Sequence, residues 1–79
     1  MSSEFPSVKA RVLLRALMRE PLSYRVVRQH CSHRRLESES GFPPILFAFH
    51  DRVTVRPRLV RALLVDTVGL TEKEARELL

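Results

Sequence analysis

The sequence predicts an α+β domain in which a helix, a three-stranded antiparallel sheet and a C-terminal helix or helix pair stack in two layers. Two patterns carry that prediction. Apolar residues recur at helical spacing near the N-terminus and again after Pro57. Between them lie three short stretches rich in β-formers, separated by turn-forming residues. With no internal repeat and no linker-like segment, residues 1–79 read as one domain, and residues 1–6 as a flexible polar lead.

Ser7 is placed to cap a helix that runs to about Arg19. Ala10, Leu13, Leu14 and Leu17 fall at i, i+3, i+4 and i+7 and form its buried stripe, while Arg11, Arg15 and Arg19 share the opposite face. Pro21 ends it. Residues 24–30, Tyr-Arg-Val-Val-Arg-Gln-His, read as a strand, and residues 33–37 as its hairpin partner across a two-residue joint at Cys31 and Ser32. Leu36 is the only apolar side chain of that second strand. Alternation therefore sends Leu36 and Arg34 to the core side and leaves His33 and Arg35 accessible on the other. A turn-like segment and Pro43-Pro44 precede the third strand, residues 45–50, whose Ile45, Phe47 and Phe49 share inward parity. Residues 51–56 read as a polar connection. Pro57 suits the first turn of a helix to about Val65, with Leu59, Val60 and Leu63 inward. After Gly69, Thr71 and Glu74 have capping-box spacing and start a last helix with Ala75, Leu78 and Leu79 on its apolar stripe.

Charge gives the first functional indication. The chain carries 14 Lys and Arg against 9 Asp and Glu, a net +5, and 12 of those cations are Arg. Residues 1–65 hold 12 basic and 5 acidic side chains, whereas residues 66–79 hold 2 and 4, so the first part is the expected contact surface. The guanidinium fork binds phosphate bidentately and stacks on bases, which points to RNA or DNA as partner. A single cysteine excludes an internal disulfide and fits a reducing cytosol. The longest apolar run, residues 45–49, falls far short of the roughly 20 residues a membrane helix needs. No signal-peptide pattern opens the chain. The expectation is a soluble cytoplasmic protein with no membrane partner.

Several chemistries are disfavoured. His30, Cys31 and His33 alternate between faces of a strand and have no fourth ligand nearby, so a metal site is not expected. With only Gly41 and Gly69, no glycine-rich phosphate loop exists. No carboxylate pair has glycosidase or metal spacing, and nothing pairs Cys31 with a base as a nucleophile. Of the aromatic residues, Phe42 beside Pro43 is the candidate for an exposed base or partner contact.

Residues 24–36, Tyr-Arg-Val-Val-Arg-Gln-His-Cys-Ser-His-Arg-Arg-Leu, resemble the signature hairpin of HicA toxins. The likeness covers roughly residues 8–79: a leading helix, a Val-Val-Arg-Gln strand, a Ser-His pair, a third strand ending in His50, a Pro-started helix, Gly69-Leu70 and an acidic terminal helix. The resemblance implies a fold similar to the double-stranded RNA-binding domain. It also implies a toxin of a two-gene toxin–antitoxin system that cuts mRNA and is neutralised by a HicB-like antitoxin covering its site. The family's catalytic His is His33 by position.

RNA carries its own nucleophile, the 2′-hydroxyl, so cleavage needs a base, an acid and nearby positive charge, without cofactor or metal. In that scheme His33 exchanges protons and His50 is a second candidate. Arg25, Arg28, Arg34 and Arg35, with Ser32, are the RNA-binding candidates. Two positions depart from the family's pattern. Cys31 stands where the family has Gly, and the connection through residues 41–44 differs, so a one-residue slip of the third strand would move His50 to the other face. The alternatives are a non-catalytic RNA-binding module and an interaction module that docks an acidic partner.

Overall fold

The computed structural model describes residues 5–79. The elements follow in the order β1 (Val8–Lys9), α1 (Ala10–Met18), β2 (Tyr24–His30), β3 (His33–Ser38), β4 (Ile45–Phe47), β5 (Thr54–Val55), α2 (Pro57–Arg61) and α3 (Glu72–Leu78), with a π-helical stretch Ala62–Thr67 continuing α2. Strands β2, β3 and β4 form an antiparallel sheet in sequence order, and β1 pairs with β5 in a separate two-stranded ribbon. This is the α+β architecture expected from the sequence. The ribbon is not.

The ribbon changes how the chain enters its first helix. Val8 pairs with Val55 and Lys9 with Thr54. The N–H groups of Ala10 and Arg11 donate to the carbonyls of Val53 and Asp51 at 2.8 and 3.2 Å. The first N–H groups of a helix have no partner within it, and here the chain after β4 supplies the carbonyls. Ser7 is therefore no cap: α1 begins at Ala10, with Lys9 in the N-cap position. Residues 53–55 are likewise not a plain connection, because they form β5 and its approach.

One cluster joins the two layers. It contains Leu13 and Leu17 of α1, Leu22, Tyr24 of β2, Leu36 of β3, Ile45 and Phe47 of β4, Val55, Val60, Leu64 and Ala75. Phe5, assigned to the polar lead by sequence, is buried at 5% exposure. Its ring lies under the Arg76 guanidinium at 5.6 Å, so an apolar anchor ties the start of the described chain to α3. Residues 1–4 of that lead lie outside the described residues.

Helix α2 departs from the expected inward set: Val60 is buried, but Leu59 is 46% exposed and Leu63 only half-buried. After Arg61 the chain widens to i→i−5 bonding, with the Val68 N–H donating to the Leu63 carbonyl at 3.0 Å. The wider turn shifts the buried row to Leu64 and Val68. Gly69, at φ +96°, then reverses the chain, and the Leu70 N–H reaches the Leu64 carbonyl at 3.1 Å. Thr71 and Glu74 form the expected capping box, with both reciprocal bonds present.

The third strand is shorter than expected, ending at Phe47. Phe49 stays against the core edge-on to Phe47, with ring centroids 5.3 Å apart. The register Arg34↔Phe47, Arg35↔Leu46, Leu36↔Ile45 places Ile45 and Phe47 inward and leaves Leu46 68% exposed. Among the described residues no helix is long and apolar enough to cross a membrane.

Two predictions follow from this framework. Cys31 opens the β2–β3 turn at φ +57°, where an L-residue costs about 1–2 kcal/mol and glycine nothing, although glycine returns about 0.5–1 kcal/mol of unfolded-chain entropy. Calorimetry on Cys31→Gly should show a net gain of about 0.5–1 kcal/mol, raising Tm by about 2–8 °C. Tyr24 is buried, donates its hydroxyl to the Pro43 carbonyl, and has its pKa raised from 10.0 by burial. The unfolded chain therefore loses the phenolic proton first as pH rises. Its contribution is intact below pH 10 and falls above it, so the stability difference between wild type and Tyr24→Phe should shrink in alkaline titration.

Candidate nucleic-acid interface

A β-bulge organises the exposed face of the sheet. Along β2 and β3 the pairs are Arg25↔Glu37 and Val26↔Leu36, then Arg28↔Arg35, Gln29↔Arg34 and His30↔His33, so Val27 is an extra residue without a partner. Antiparallel partners share a face. Leu36 is fully buried and defines the inner face. Beyond the bulge, Arg28 and His30 therefore stand outside with His33 and Arg35. Simple alternation from Val26 would have turned both of them inward.

The outer face thus carries Arg25, Arg28, His30, His33, Arg35 and Glu37, with Leu46 of β4 beside Arg35. All of them are exposed. Arg25 and Arg35 make loose ion pairs with Glu39 at 3.3 Å and Glu37 at 3.6 Å. Exposed pairs of this kind contribute about 0–1 kcal/mol and exchange readily for another anion. Among the described residues Arg28 has no carboxylate in ion-pair range. Arg28 and Arg35 are direct cross-strand partners on this face, a like-charge pairing that is unfavourable by itself and is relieved by an anion.

Around the turn, on the inner side, a second cationic site forms. Cys31, Ser32, Arg34, His50, Asp51 and Arg52 line an open cavity of about 360 Å³. Arg34 sits on the core side of β3, as alternation requires, with its side chain 14% exposed, and its Nη2 donates to Asp51 Oδ1 at 2.9 Å. Its other terminal nitrogen, Nη1, is buried without a partner. The segment bearing His50, Asp51 and Arg52 is held there by the bonds from α1 and by Lys9 Nζ, which donates to the Arg52 carbonyl at 3.2 Å.

The expected site residues therefore divide between two surfaces. His33, Arg25, Arg28 and Arg35 are on the outer face of the sheet; Ser32, Arg34 and His50 line the cavity. Extending the β3–β4 register places Ala48, not His50, opposite His33. The two surfaces meet at the turn, where the chain crosses from one to the other. Arg52 was not singled out by sequence, and His30 entered only as a dismissed metal ligand expected to alternate in face with His33; the hairpin turn instead makes the two direct partners on one face. The signal for His30 was present, because a two-residue joint makes the residues flanking it direct cross-strand partners; Arg52 gave none.

A larger depression of about 710 Å³ lies between the end of α1 and α3. Glu20, Glu74 and Glu77 on its rim make it unsuited to phosphate. Phe42, expected to be exposed, is half-buried and lines this depression. Among the described residues no group of three or more His, Cys, Asp or Glu side chains is placed to hold a metal ion.

No family model, curated protein or solved structure matches the chain.

The Arg34–Asp51 pair holds the cavity's wall. Asp51→Ala leaves a mostly buried guanidinium without its anion, and urea unfolding should report a loss of about 1–3 kcal/mol.

Proposed function

We propose that the chain is a metal-independent endoribonuclease of the HicA type, the toxin of a toxin–antitoxin pair acting on mRNA in the cytoplasm. The observation that supports this reading best is the exposed outer face of the hairpin, where His33 stands at the turn beside the opposed Arg28 and Arg35. Imidazole exchanges protons near neutral pH and guanidinium holds phosphate, which together serve attack by a ribose 2′-hydroxyl. Arg28 and Arg35 bind the scissile phosphate and its neighbour and stabilise the charge that grows on the phosphoryl oxygens. His33 takes or returns a proton at the reacting oxygens. A HicB-like antitoxin would inhibit by covering this face, where Leu46 offers an apolar contact beside the cations.

A non-catalytic RNA-binding module uses the same cations without the imidazole. Cleavage of a long single-stranded RNA in EDTA separates the two. Wild type should degrade it, and His33→Ala, at equal thermal stability, should lose about 10²–10⁴-fold in rate. An RNA that survives wild type, yet binds with affinity falling steeply as salt rises, would replace this reading with the binding module.

A further inference from the structure

The hairpin brings a second imidazole to His33. His30 and His33 are direct cross-strand partners and both are exposed on the outer face. Direct antiparallel partners have Cβ atoms about 4.5–5.5 Å apart. That spacing lets two rings flank a single phosphodiester. Two features of the backbone create the pairing. The two-residue turn at Cys31 and Ser32 sets the partners, and the bulge at Val27 turns His30 outward. Arg28 and Arg35 form the next rung on the same face.

Resting on the endoribonuclease reading, we propose that His30 is a second catalytic residue, and that His30 and His33 divide the base and acid roles of RNA cleavage between them. One imidazole, neutral, takes the proton of the 2′-hydroxyl as the 2′-oxygen bonds to phosphorus. The phosphorus–O5′ bond breaks, and the other imidazole, protonated, delivers its proton to the departing 5′-oxygen. The products are a 2′,3′-cyclic phosphate and a 5′-hydroxyl, with no net proton consumed. His50 takes neither role, because it faces the cavity on the inner side.

Among the described residues the charged groups sharing the face with the pair are Arg25, Arg28 and Arg35, together with Glu37 of β3 and Glu39, which pairs with Arg25; β4 contributes Leu46 and no titratable group. Gln29 lies on the opposite face and donates from Nε2 to the Cys31 carbonyl at 3.1 Å, bracing the turn. The pair therefore contributes the two groups whose protonation states must differ for cleavage. The wild-type rate should rise and then fall with pH.

The test measures single-turnover cleavage across pH with the full chain in EDTA, on ordinary RNA and on an oligonucleotide whose scissile 5′-oxygen is replaced by sulfur. His30→Ala should lower the rate on ordinary RNA by about 10²–10⁴-fold and remove one limb of the pH profile. His30→Gln, which keeps hydrogen bonding but not proton exchange, should do the same. A thiolate leaves without a proton, so one of the variants His30→Ala and His33→Ala should recover rate on the sulfur substrate and the other should not. An inactive wild type overturns the endoribonuclease reading itself. An active wild type with His30→Ala at the wild-type rate and profile overturns this inference alone. So does a slow His30→Ala that keeps both limbs while neither variant is rescued by sulfur.

Discussion

Leu36 is the only apolar side chain of β3, and its complete burial between Val26 and Ile45 decides which way every other residue of that strand points. A strand's side chains alternate with a period of two, so a register slip of one residue would put Leu36 in solvent and His33 and Arg35 in the core. Burying a leucine contributes about 1.5–3 kcal/mol, enough to hold the register against that alternative. The exposed cationic face is the complement of this one buried side chain.

The bulge at Val27 modifies that rule in one strand only. Beyond it β2 changes phase, so Arg28 and His30 join the residues that β3 already presents. The result gathers three guanidiniums and two imidazoles on one side of a small sheet, with Arg25 and Arg35 loosely paired to Glu39 and Glu37. Repulsion between Arg28 and Arg35 opposes folding, as does the positive φ at Cys31, while the core below and the capped helices offset both. Both costs fall on the one hairpin and neither on the core.

The inner cationic cavity has a different origin. Its far wall is the segment after β4, which has no regular structure through residue 53 and is fixed from outside itself: by the first N–H groups of α1, by Lys9, and by the Arg34–Asp51 ion pair. The β1–β5 ribbon closes this arrangement. Cations thus reach both sides of the turn from opposite faces of the sheet, and a polyanion passing over the hairpin tip meets both.

The helices, the three main strands and the capping box were legible in the sequence because each rests on local periodicity or a local side-chain bond: Leu13 and Leu17 at helical spacing, Leu36 alone among polar neighbours, Thr71 three residues before Glu74. The outward direction of His33 and the inward direction of Arg34 followed from the same alternation. The positions that only the tertiary structure decided are those where distant chain segments complete each other's hydrogen bonds or packing. The carbonyls of Asp51 and Val53 set where α1 begins, Phe5 finds its partner in Arg76, and the wider turn after Arg61 puts Leu64 and Val68, rather than Leu63, fully in the core. The bulge belongs to the same class. The two-residue joint marks His30 as the partner of His33, but nothing in Tyr-Arg-Val-Val-Arg-Gln-His marks which valine drops out of the ladder, because that is settled by the pairing of two strands rather than by either one.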